Sequence, residues 1–179
     1  EDPNVIHVAG RVDPIADIEV IQTELCLADL ATVEKALQRY TKAAKSGNDK
    51  EAAKLVSLLV PLQAALNEGK PARTVPVSKE DAPLLKSLCL ITAKPAMFVG
   101  NVAEDGFDNN PLLERLREYA AAQNAPVVAI CAKIEAEMAE MSDEDRDMFL
   151  QEMGLEEPGL NRLIRAGFSL LGLQTYFTA

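Results

Sequence analysis

The chain has 179 residues, a net charge of −10, 48% apolar and 26% charged side chains, and no tryptophan. That is enough apolar material for a buried core, so disorder is excluded, and an acidic balance argues against coating nucleic acid by bulk electrostatics. Cys26, Cys89 and Cys131 form no C-x-x-C pair, and His7 is the single histidine; zinc ribbons, disulfide frameworks and multi-histidine metal sites are therefore not supported, and reduced thiols are expected.

Val5–Ala9 is a short β-leaning run stopped by Gly10, and His7 within it has no partner to act with. From Pro14 and Asp17 a long helical pattern begins. Ile18, Ile21 and Leu25 step by three and four, and Leu30, Val33, Leu37, Tyr40 and Ala44 continue on a shifted stripe. Ser46-Gly47-Asn48 is a stop and a turn. Leu55, Leu59, Leu62 and Leu66 give a second stripe, so residues 17–71 predict an antiparallel helical hairpin with coiled-coil spacing. Pro61 lies inside the second helix and is expected to kink or break it. Residues 34–54 carry six bases against three acids, among them Lys42, Lys45 and Lys50. A basic patch of this kind is either a solvated face or an arm that reaches toward phosphate.

Ser78-x-x-Asp81 predicts the start of a helix carrying Leu84, Leu85, Leu88 and Cys89. Ala96–Gly100 is an apolar run of strand length. Asn110-Pro111 opens a helix with Leu112, Leu113, Leu116 and Tyr119, and Val127–Cys131 is a second apolar strand. Strand, helix, strand with apolar strands predicts a parallel βαβ unit buried on both faces. Ser142 caps a helix that stops at Gly154, and Pro158-Gly159 opens a last helix that stops near Gly172. Residues 134–157 hold ten acids and one base; Glu135, Glu137, Glu140, Asp143, Glu144, Asp145 and Asp147 are expected on solvated helix faces rather than around a metal. No apolar run approaches the length of a membrane span.

Ligands of parallel sheets bind at the carboxyl ends of the strands. Asn101-Val102-Ala103-Glu104 follows the first strand, and Cys131-Ala132-Lys133 ends the second. The pair resembles the N-K-x-D and S-A-K base-recognition loops of P-loop GTPases, and N-x-x-E in place of N-K-x-D resembles the YchF/Obg-like ATPase family. Residues 101–111, Gly154–Arg162 and Leu173–Ala179 are similar to that family as well, as is a helical hairpin ahead of the base-recognition strand. The resemblance implies the fold: an α/β protein, the C-terminal half of a P-loop nucleotidase domain with parallel strands plus an inserted helical hairpin. It implies residues 1–16 and 72–173 as the base-recognition half, 17–71 as the arm, and 174–179 as the start of a TGS domain. No G-x-x-x-x-G-K-[ST] occurs, and both ends of the chain read as cut from something longer. The phosphate and Mg²⁺ site of the family is therefore expected outside these residues, and the isolated piece is expected to be inactive.

The resemblance further implies ATP or GTP with Mg²⁺ in the parent, a ribosomal partner, a cytoplasmic location, and Asn101, Val102, Glu104, Cys131, Ala132 and Lys133 around the base. In the GTPase pattern the Asp carboxylate accepts from guanine N1–H and the 2-amino group. Adenine lacks both donors, and Glu104 is one methylene longer, so adenine is expected to be preferred. Ala132 pulls the other way, because its N–H would suit guanine O6 and oppose the adenine amino group. Cys131 reads as a buried strand-end residue with nothing nearby to generate a thiolate. A GTPase with a degenerate base loop, and a nucleotide-independent ribosome or RNA module using Lys42, Lys45 and Lys50, remain the alternatives. An open sheet edge is expected to favour self-association.

Overall fold

The structure, a computed structural model, describes Gly10, residues 12–47 and residues 49–177. The β-leaning run with His7 lies outside the described residues, as do Asn48, Thr178 and Ala179. Chain contacts divide the molecule into two compact units, Ala16–Pro95 and the remainder. Among the described residues no helix is long and apolar enough to cross a membrane.

The first unit contains α1 (Pro14–Gly47), α2 (Lys50–Asn67), a 3-10 turn (Ala72–Thr74) and α3 (Ala82–Lys86). Asp49 caps α2, its carboxylate accepting from the backbone N–H groups of Glu51 and Ala52 at 3.0 Å. The α2 core stripe is the one the sequence predicts: Leu55, Leu59, Leu62 and Leu66 are buried, joined by Ala52. In α1 the second half of the predicted stripe packs: Val33 is buried, and Leu30, Leu37 and Tyr40 lie against the same core. The first half differs. Ile21 and Leu25 are exposed, and Cys26, Asp29 and Ala36 join Val33 on the buried face, with heptad steps of three and four. Pro61 does not break α2, which is continuous through it, and the proline lies on the exposed side of the helix.

Segment 72–95 folds with the hairpin, so this unit extends to Pro95, past the boundary expected after residue 71. The reason is a buried polar knot. Asp29, 3% exposed, accepts from the N–H of Ile91 at 2.8 Å, the N–H of Thr92 at 2.7 Å and the Thr92 hydroxyl at 2.6 Å. The Thr92 hydroxyl in turn accepts from the Ala72 N–H at 2.9 Å, and the Thr92 carbonyl accepts from the Arg73 N–H at 3.1 Å. Ala72 and Leu90 complete the apolar core around Cys26, Leu59 and Leu66.

The expected helix from Ser78 is shorter than its pattern. Ser78 accepts from the Asp81 N–H at 3.1 Å, but this closes a turn, and α3 begins only at Ala82. Pro83 suits the start, since a first helical turn has no N–H bond for it to remove. Cys89, at φ +50°, is left-handed and exposed beyond the helix end.

The second unit contains β1 (Phe98–Asn101), α4 (Pro111–Ala122), β2 (Val127–Ile130), α5 (Ala132–Met138), α6 (Asp143–Glu152) and α7 (Gly159–Leu171). β1 and β2 pair in parallel, Phe98 opposite Val127 and Asn101 opposite Ile130. Helix α4 covers one face. Gly100 leaves room for it, since a Cβ there would lie 3.1 Å from Leu113 Cδ1, and Phe98 meets Tyr119 edge-on at 5.8 Å. Burial on both faces is not observed for β1: Val99, on the other face, is 42% exposed. A parallel strand reads as an uninterrupted apolar run because helices cover both faces, and among the described residues nothing buries Val99. The predicted caps form. Asn110 Oδ1 accepts from the Leu112 and Leu113 N–H groups at the start of α4, Ser142 accepts from the Asp145 N–H at the start of α6, and Gly154 and Gly172 take positive φ after α6 and α7.

Candidate base-recognition site

The site is built where β1 and β2 end side by side. The Val102 N–H donates to the Ile130 carbonyl at 2.8 Å, carrying the ladder one step beyond β1. The chain then turns in both places at once. After β1, residues 103–106 form a turn closed by the Gly106 N–H on the Ala103 carbonyl at 2.9 Å. This turn is tight: a Cβ at Gly106 would lie 3.0 Å from the Ala103 nitrogen and 3.1 Å from Val102 Cβ. Asn110 steadies it, its amide nitrogen donating to the Gly106 carbonyl at 3.0 Å. After β2, Cys131 becomes the residue before α5, with extended backbone, and Ala132 and Lys133 are the first residues of that helix.

Two side-chain bonds tie these endings together. Asn101 Oδ1 accepts from the Ala132 N–H at 3.0 Å. Lys133 Nζ donates to Glu104 Oε1 at 2.5 Å, and this contact holds the lysine above its ordinary pKa, with Glu137 one turn along α5 adding to the effect. Asn101, Glu104, Ala132 and Lys133 are exposed or half-exposed and form one polar edge. Val102 and Cys131 are buried, at 6% and 3%. Their side chains belong to the floor of the edge rather than to its surface, and the Val102 N–H is committed to the ladder.

Behind the edge, Cys131, Ile134, Met138 and Leu150 form a core on which Phe107 packs, and the Arg162 guanidinium lies 5.6 Å from the Phe107 ring centre. The sequence reading missed Glu135. It is not part of a solvated face: its two carboxylate oxygens accept from the Gly159 N–H at 2.7 Å and the Leu160 N–H at 3.1 Å, capping α7 from a neighbouring helix. The signal was present in Pro158-Gly159, a helix start without a capping side chain of its own. Glu137, Glu140, Asp143, Glu144, Asp145 and Asp147 are exposed, and among the described residues no three acidic, cysteine or histidine side chains gather as a metal site. In the other unit, Lys42 and Lys45 lie in the last turns of α1 and Lys50 opens α2; all three are exposed at the hairpin's turn.

No protein-family model matches the chain. Individual relatives do. It is 51% identical over 179 residues to the Haemophilus influenzae protein named Ribosome-binding ATPase YchF, which spans all of this chain and 49% of that protein. A Bacillus subtilis protein of the same name is 49% identical over 181 residues, covering 99% of this chain and 49% of its own length. Among solved structures, the Schizosaccharomyces pombe YchF GTPase matches 100% of this chain and 50% of its own, with a TM-score of 0.86 and 26% identity. The chain thus spans about half the length of the curated relatives it matches. With N-x-x-E and C-A-K loops at the ends of two parallel strands, and homology along its whole length, the chain belongs to the YchF/Obg-like family of P-loop nucleotidases.

Proposed function

We propose that this chain supplies the base-recognition edge and the helical arm of a cytoplasmic, ribosome-associated nucleotidase that binds and hydrolyses ATP in preference to GTP. Phosphate and Mg²⁺ chemistry would come from the part of the family's length that this chain does not span, and residues 174–179 would lead into a TGS domain. The observation that carries the adenine reading is the 3.0 Å bond from the Ala132 N–H to Asn101 Oδ1. That N–H is the donor that guanine O6 would use and that an adenine amino group would oppose. Committed to Asn101, it no longer opposes adenine. An asparagine amide offers both an acceptor for the adenine 6-amino group and a donor for N7. Val102 and Cys131 shape the floor beneath the base, and Glu104 and Lys133 close its outer side.

Competition between ATP and GTP for the full-length protein tests this reading. ATP is expected to bind more tightly, and Asn101→Ala to weaken ATP by about tenfold, the worth of one well-made polar pair to a base edge. A clear GTP preference would overturn the adenine assignment.

The relatives' name and the exposed Lys42, Lys45 and Lys50 at the hairpin's turn support a ribosomal partner for the arm. Reversing the three charges should weaken ribosome co-sedimentation and flatten its salt dependence by about three counterions. Unchanged binding would leave the arm a structural role.

A further inference from the structure

A guanine-selecting site needs a carboxylate that is free to accept from N1–H and the 2-amino group. In this chain the carboxylate at the fourth position of the N-x-x-E loop is Glu104, and it is engaged by Lys133 Nζ at 2.5 Å. The two residues come from opposite strand endings, 29 positions apart, so the contact exists only because β1 and β2 end together. It lies immediately beside the Asn101–Ala132 bond, one residue further along α5. Its direction matters. The lysine belongs to the helix side, so it draws the carboxylate across the gap between the loops.

We propose that Lys133 is a positioning residue for nucleotide specificity: by pairing with Glu104 it withdraws the acceptor that guanine requires, and so disfavours GTP relative to ATP. This deepens the adenine reading and rests on it. Glu104 length alone weakens the guanine contact; the ion pair adds a cost, because GTP must break it before the carboxylate can accept from the base. The pair is exposed, with 69% of the lysine and 46% of the glutamate side chain accessible. Its effect is accordingly modest and salt-sensitive.

The experiment uses the full-length protein and reads ATP and GTP affinity by displacement of a fluorescent nucleotide. Lys133→Met keeps the aliphatic stem and removes the charge. GTP affinity is expected to rise about two- to five-fold relative to ATP affinity, the range set by an exposed ion pair. In the Lys133→Met/Glu104→Gln double variant that gain should vanish, since no carboxylate is left to release. In the wild type, molar salt should narrow the ATP-to-GTP ratio, and in Lys133→Met it should not. A ratio unmoved by Lys133→Met, or equal shifts for both nucleotides, would overturn the assignment. Asn101→Ala separates the two levels. If it weakens ATP while Lys133→Met changes nothing, only the role of Lys133 falls; if it leaves ATP unaffected, the base-edge reading itself falls.

Discussion

Removing the Asp29 carboxylate is expected to be among the most damaging single changes in the helical unit. Asp29→Ala takes away three hydrogen bonds, to the Ile91 N–H, the Thr92 N–H and the Thr92 hydroxyl, all between 2.6 and 2.8 Å. Each is a bond to an ionised acceptor, worth about 1.5–3 kcal/mol in a typical mutational series. The hydroxyl can rotate toward another acceptor, but the two N–H groups are fixed by the backbone. Thr92 is 2% exposed, so its N–H would be left dry. Relief of burying a charge offsets part of the loss. The net expectation is about 3–5 kcal/mol. Asp29→Asn retains one acceptor oxygen and should lose about half as much. The assay is urea denaturation followed by helical circular dichroism, with amide exchange at Ile91 and Thr92 as the local readout. Both amides should lose protection in Asp29→Ala, and segment 72–95 should detach before the hairpin melts. A loss under 1 kcal/mol with those amides still protected would refute the reasoning, because the carboxylate would then not be what holds the segment on the helices.

Pro61→Ala should stabilise α2 by about 1–3 kcal/mol, since the helix is already continuous there and the substitution restores an N–H to the ladder; a fall in the urea midpoint would show that the proline's geometry is needed. Gly159→Ala should cost about 1–3 kcal/mol and loosen the start of α7, because its Cβ would lie 2.7 Å from Glu135 Oε1 and 3.0 Å from Ile130 Cγ2. Amide exchange at Leu160 reports it, and unchanged protection there would mean that Glu135 can shift without losing its cap.

Much of the architecture follows from local chemistry. The caps at Asp49, Asn110 and Ser142 and the stops at Gly154 and Gly172 depend on residues within a few positions of one another. Each is set by a backbone conformation or an unpaired N–H that a specific side chain satisfies. The leucine stripe of α2 is equally legible, because four leucines at three- and four-residue steps leave one apolar face. The N-x-x-E and C-A-K loops, together with the longer segments 101–111, Gly154–Arg162 and Leu173–Ala179, point to the family from the chain alone, before any contact is known.

The remainder needed contacts between distant residues. Asp29 reads as a surface residue until Ile91 and Thr92, more than sixty positions away, arrive to donate to it. Its burial moves the α1 stripe off Ile21 and Leu25 and extends the helical unit to Pro95. Glu135 looks like one acid among ten until the bare N–H groups of α7 come within 2.7 and 3.1 Å. The same holds at the base edge. Asn101, Ala132, Glu104 and Lys133 were identifiable as types in sequence, but their pairing across two strand endings was not. A buried or half-buried polar group costs free energy unless it is matched, and the match is made by whichever donor the tertiary fold brings near; sequence fixes what each residue can offer, and only the folded chain decides to whom.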